Sequence, residues 1–383
     1  CYAYAPTVDL SARFAPLLPG SNATIDTGVY SLSYASALSG TGNLTKTGAG
    51  SLFLSGANAF AGTLSVLAGA VSVGTGGTQG SLDADLFNNA LVRLDRSDAW
   101  TYSGALSGNG TFRKTGGALT LTGLSTNSGT VWVESGRLNV NGSLGSGAVM
   151  VGAVASLGGA GLVAGTVHLS GGSLFMGTQG AAGSLTLGGF QTSGGTINFR
   201  LGSPANSDAL LIGGGGLNLA GLSTLRLSLS PGATPSPGLY TLIQYGGTLS
   251  GGGTFALSAD SVQGGSFSLS PNIFGDASLT LQAALDWATP GLVKLRLNAL
   301  PGADTRTWGG GAGDGNPLNI ANWYAGGVLA NGSLRPGVDQ VVFGDFPYAG
   351  GSLVVSSTLL LSGSFAPASI AFAAGSVRYT VSG

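Results

Sequence analysis

Residues 38–73 read LSGTGNLTKTGAGSLFLSGANAFAGTLSVLAGAVSV, and residues 106–140 read LSGNGTFRKTGGALTLTGLSTNSGTVWVESGRLNV. The two stretches align with a single deletion. Gly40, Gly42, Lys46, Thr47 and Gly48 match Gly108, Gly110, Lys114, Thr115 and Gly116. Past the deletion, Leu52, Leu54, Gly56, Gly62, Val66 and Gly69 match Leu119, Leu121, Gly123, Gly129, Val133 and Gly136. In SLFL, TLSV, AVSV, LTLTG, TVWV and RLNV every second residue is apolar. A period of two places alternate side chains on opposite faces of a strand. Between these runs stand G-A-G, S-G-A-N and A-G-A, residues suited to turns. The strands recur about every ten residues, which points to an all-β chain.

Composition narrows the choice among all-β architectures. Of 383 residues, 71 are glycine and only 8% are charged, against an ordinary ~25% charged. Hydrophobic residues make up 43%, enough for a core. A sandwich would need charge on its solvated faces, whereas the outward positions here are mostly Ser, Thr, Asn and Gly. Stacked rungs satisfy their polar backbone by pairing with one another, so an uncharged repeat fits a solenoid best. The expected fold is all-β, a parallel β-helix with a smaller C-terminal β-rich module.

The same arithmetic excludes much chemistry. A net charge of -1 with 14 Lys and Arg gives no basic surface for nucleic acid. One Cys allows no internal disulfide framework, and one His with one Cys cannot build a zinc site from such ligands. No cofactor is expected. Residues 148–167 are uncharged and contain Gly161-x-x-x-Gly165, but five glycines break them into pieces too short for a membrane helix. No membrane span is expected.

LTKTGAGSLFLSGANAFAGTLSVLAGAVSVG resembles the passenger-associated repeat of bacterial autotransporters. Residues 144–177, 182–190 and 238–252 are similar to segments that follow such repeats, so the resemblance covers roughly residues 38–300. It implies a secreted, right-handed parallel β-helix on the outer surface of a diderm bacterium, and it brings no catalytic residues. An autotransporter also carries a translocator barrel of alternating lipid-facing strands. The chain runs to YTVSG without that pattern, so the expectation is a passenger lacking the barrel. Residues 307–383 instead hold a W…NW…P…D-x-V-x-F pattern, similar to a module found between solenoid stretches of large secreted bacterial proteins.

The expected boundaries are residues 1–37 as an opening strand or cap and 38–200 as the repeat solenoid. Residues 201–300 continue it with longer strands, and 301–383 form a Trp-containing β module. Candidate sites are few. Cys1 would accept a lipid if a signal peptidase cut before it. Asp314 and Asn316, in GAGDGN, offer oxygen ligands for calcium, with Asp304, Asp339 and Asp345 in the same module, although the spacing is not that of an EF-hand. His168 stands alone, so it forms neither a triad nor a metal site. The glycine runs at 213–216 and 309–311 are turns, since no helix follows them. Trp308, Trp323 and Tyr324 read as module core before sugar platform. Asp83 with Asp85, and Asp95, Arg96 and Asp98, read as surface charges paired locally.

These observations lead to a non-enzymatic, extracellular structural β-solenoid, a cell-surface stalk or a fibre subunit joined head to tail. Residues 352–361 and 376–382 are β-prone and nearly uncharged, and open strand edges are templates for further strands. The alternative is an adhesin for glycans or proteins of other cells, which predicts a localised aromatic or charged patch. A solenoid lyase or hydrolase would need a carboxylate and basic cluster, which residues 138–201 lack.

Overall fold

The computed structural model describes residues 9, 11–178, 182–230, 238–259, 261–262, 265–266, 281–287 and 289–299. It further describes strands at 305–308, 323–325, 328–329, 340–343, 357–360, 369–372 and 379–382. The chain divides into two compact units, Cys1–Ala299 and Leu300–Gly383. Among the described residues there is one short 3-10 turn, Ser11–Arg13, and every other regular element is a strand.

The first unit is a three-sided parallel β-solenoid. Its first face begins with Asn22–Asp26, Asn43–Thr47, Thr63–Val66, Asp85–Asn88 and Leu106–Ser107, paired in that order and all in parallel. The second face stacks Leu32–Tyr34, Ser51–Leu54, Ala70–Val73, 91–94, 111–114, Val131–Val133, Val149–Val151 and 167–169. The third face opens with Ser39–Gly40, Ala57–Phe60 and Ser81–Leu82 and continues through 99–102, 118–121, Gly136–Val140 and Ala155–Gly158. Val131 pairs with Val149 and Val149 with Val167, so one turn here advances the chain by 18 residues. Leu91–Tyr102 and Thr111–Leu121 each run around one corner and serve two faces, whereas Leu162–Phe175 and Ser184–Leu201 each run around two corners and serve all three.

The period of two becomes a set of inward ladders. On the second face Leu52, Val71, Val92, Phe112, Val131, Val149, Val167 and Phe190 are successive Cα partners. All eight are buried. Burial of such side chains stabilises by about 1.5–3 kcal/mol each, before the cost of ordering the chain. The corners are closed by amides: Asn58, Asn88 and Asn127 are fully buried. Asn58 Nδ2 donates to Gly56 O and Ser81 O while its Oδ1 accepts from Leu38 N. Polar corner groups are thus satisfied without charge, which is how the composition becomes foldable.

The two repeat copies do not occupy the same face. The strand bearing Lys46 lies on the first face, whereas the one bearing Lys114 lies on the second, stacked above Ser51–Leu54 and Ala70–Val73. On one face the parallel stack passes into an antiparallel hairpin. Leu292–Ala299 pairs antiparallel with Gly238–Tyr245 on one side and with Leu281–Asp286 on the other.

In the second unit Thr305–Trp308 pairs antiparallel with Trp323–Ala325 and parallel with Gln340–Phe343, which continues to Ser369–Phe372. Ser357–Leu360 and Tyr379–Ser382 form a separate parallel pair. These are the β-prone segments near the C-terminus, and each is the other's partner.

Candidate functional site

The sequence-derived candidates are dispersed. Cys1, Asp314, Asn316, Asp304, Asp339, Asp345 and the glycines at 309–311 lie outside the described residues. Trp308 is the antiparallel partner of Trp323, and Thr307 that of Tyr324, so the topology brings the three aromatic residues onto adjacent strands. Among the described residues no three of His, Cys, Asp or Glu cluster as metal ligands, and no helix is long and apolar enough to cross a membrane. Residues 148–167 form strands. Arg96 pairs with Asp98 at 2.7 Å and also donates to Gly80 O, a local pairing as expected. Gly216 takes a φ of 74°, a turn conformation.

Two outward surfaces carry larger side chains. On the second face Arg93, Arg113, Trp132, Met150, His168 and Gln191 are successive Cα partners. They alternate with the buried ladder and so face outward. Trp132 is 40% exposed. Arg113 Nη1 donates to Glu134 Oε1 at 2.8 Å, which pairs the guanidinium with an acid on the next turn. His168 therefore belongs to a column of large polar and aromatic groups, an arrangement hidden in sequence because its members lie 18 to 23 residues apart.

On the third face, residues 118–120 stack on 137–139. There a cleft of about 310 Å³ is lined by Ala118, Thr120, Arg137, Asn139, Asn141, Gly177 and Thr178. Arg137 Nε donates to Asn139 Oδ1 at 2.6 Å, and Asn139 Nδ2 donates to Thr120 Oγ1 at 3.3 Å. The guanidinium lies over the Phe175 ring, 4.5 Å from its centroid, a cation–π contact. Burial and then the neighbouring Arg200 charge pull its pKa below the ordinary value. Arg200 is itself paired with the buried Asp208 and donates to Thr178 O and Met176 O, which fixes the rim.

A third arrangement lies inside. Lys46 and Lys114, matched in the repeat, are buried, at 0% and 3% exposure. Lys46 Nζ donates to Thr47 O at 2.7 Å, Gly48 O at 2.9 Å and Ala68 O at 3.1 Å. Lys114 Nζ donates to Gly116 O, Gly117 O and Ser135 O. Each ammonium thus spends its three N–H groups on corner carbonyls, two in its own turn and one in the next. Burial lowers the Lys46 pKa and pushes Lys114 down to about 8, while Asp26 and Asp95 respectively oppose the shift. The repeat carries these lysines for the corner.

A pH dependence follows. Burial lets folded Lys114 release its proton at about 8, whereas in the unfolded chain it is held to the ordinary lysine value of about 10.5. Between these values the unfolded state binds more protons, so stability rises with pH. Relative to Lys114→Met, the urea stability of the native chain should climb from pH 8 to pH 10, by at most about 1.4 kcal/mol per pH unit. Parallel curves for the two proteins would refute it.

Both lysine-closed corners fall within matches to a known family. The passenger-associated-transport-repeat family matches residues 44–73 and 112–140. The adhesin BmaC autotransporter of Brucella suis biovar 1 (strain 1330) is 40% identical over 53 residues, 14% of this chain and 2% of that protein's length. The chain therefore spans only a small part of the curated relative it matches. The parallel turns, the ladders and the corner lysines agree with these matches, and the chain is similar over both stretches to the β-repeats of autotransporter passengers.

Proposed function

We propose that the chain is a non-enzymatic, extracellular β-solenoid on the surface of a Gram-negative bacterium, and that its second face is adhesive. One observation carries this reading: the outward column of Arg93, Arg113, Trp132, Met150 and His168. A flat parallel sheet of small polar residues offers a partner little to grip. Large amphipathic side chains stacked on neighbouring strands supply anchors, and Trp and Arg are the residues that dominate binding energy at interfaces. The partial relative that bears the name adhesin supports the same direction.

Beads coated with the 383-residue chain should attach saturably to cultured epithelial cells or matrix proteins, with soluble chain competing. The Trp132→Ala, Arg113→Ala variant should lose most of that attachment while keeping its far-UV spectrum. Attachment indistinguishable from albumin-coated beads across the panel would overturn the reading.

The fibre reading, head-to-tail joining through strand edges, has less support. The hairpin of Leu281–Asp286 and Leu292–Ala299 occupies the edge of Gly238–Tyr245 that a following copy would use. On that face the next strand is therefore antiparallel, and the parallel register of the turns does not continue. Filaments in electron micrographs of the purified chain would restore it.

A further inference from the structure

We propose that the cleft on the third face around Arg137 binds an anionic sugar, a hexose unit bearing a carboxylate or sulfate, within a larger glycan. The argument starts from an incomplete charge. Arg137 is half-buried, and its Nε donates to the neutral Asn139. Among the described residues no carboxylate lines the cleft. A guanidinium held out of bulk water without an acid gains most from an anion that accepts two parallel N–H bonds.

The guanidinium is also preorganised. Asn139 holds Nε, and the Phe175 ring supports the plane from below. Gly158 makes room, since a Cβ there would stand 2.8 Å from Arg137 Nη2. Fixing the group in advance removes an ordering cost from binding.

Size and lining then select the ligand. At about 310 Å³ the cleft is larger than sulfate or acetate requires and lies at the lower end of small-ligand sites. Thr120, Asn139 and Asn141 offer a hydroxyl and two amides, matched to sugar hydroxyls. Phe175 is covered by Arg137, so a neutral sugar lacks an open ring to stack on. An extended peptide would add at a strand edge, whereas this cleft lies on the face of paired strands. The assignment stands apart from the adhesive second face and is tested without it.

Isothermal titration of the full chain with a glucuronate-containing tetrasaccharide should give saturable one-site binding. The matching neutral glucose tetrasaccharide should bind at least tenfold more weakly, and so should acetate, inorganic sulfate and a glutamate-rich peptide. A sulfated tetrasaccharide binding within threefold of the glucuronate ligand shows that the anion, not its identity, is read. Arg137→Gln should weaken binding at least tenfold, Arg137→Lys should retain an intermediate affinity, and Arg13→Gln in the exposed opening turn should change nothing. If Arg137→Gln fails to fold, Asn141→Ala at the exposed rim should still cost several-fold. Equal binding of neutral and acidic sugars, equal binding of the peptide, or indifference to both Arg137→Gln and Asn141→Ala would overturn the proposal.

Discussion

Replacing Lys46 and Lys114 together by methionine will destabilise the first unit severely, by about 2–5 kcal/mol at each site. Methionine fills similar space, so the loss comes from six corner carbonyls deprived of a donor. Three belong to the Lys46 corner and three to the Lys114 corner. Removing a buried cation sometimes helps a protein, because its desolvation cost disappears. Here the corner carbonyls lose the ammonium as their donor, and that outweighs the relief. Thr47 O retains a bond from Thr27 N at 3.2 Å, so the Lys46 corner should suffer less. A solenoid contacts only its neighbouring turns, so the damage should be local. Hydrogen exchange should accelerate at residues 46–50, 66–70, 114–118 and 133–137 and stay slow near residues 210–227. Arg93→Met, on the exposed face, should change the melt by less than about 0.5 kcal/mol. Unchanged exchange at both corners in the double variant would refute the account.

The second large effect belongs to Gly136. Its φ is 66°, and an added Cβ would fall on Gly116 O and lie 2.6 Å from Lys114 Nζ. The repeat partner Gly69 has the same φ of 66°, with a Cβ directed at Gly50 O and Gly48 O. At these places backbone of one turn rests on backbone of the turn beside it. Gly136→Ala therefore combines a left-handed penalty of about 1–2 kcal/mol with an overlap that moves a stacked strand. A total of about 4 kcal/mol or more is expected, read as a lowered urea midpoint. Gly214→Ala is the control, because nothing lies within 4 Å of its added Cβ and its φ is ordinary. That substitution should be neutral or stabilise by up to about 1 kcal/mol through the unfolded state. Equal effects of the two substitutions would show that stacking distance does not govern the glycines.

Much of the fold was legible because its signals are local. Alternation in SLFL and TLSV fixes which side chains enter the core, and G-A-G, S-G-A-N and A-G-A mark the turns between strands. The sites were less legible because stacking creates them. Arg137 meets Phe175 and Thr120 only after the chain has wound through further turns. His168 looked isolated because Met150 and Gln191, its neighbours above and below, lie about one turn away in sequence. The inwardness of Lys46 and Lys114 was equally hidden, since a lysine in a strand is usually solvated. Their preceding position in the alternation, after buried Leu44 and Phe112, places them inward.

The offset between the two repeat copies governs how this surface can be used. Because Lys46 and Lys114 lie on strands of different faces, the residues that follow them also point in different directions. Duplicated sequence has not produced duplicated display. Two equivalent positions, such as Phe53 and Thr120, cannot meet one flat partner together, so the repeats offer no avidity gain. Each face is instead free to diverge under its own selection while the corners stay constant. Removing one turn of about 18 to 20 residues would shorten a face and leave its identity intact. Removing a single strand and corner would rotate every downstream side chain onto a neighbouring face.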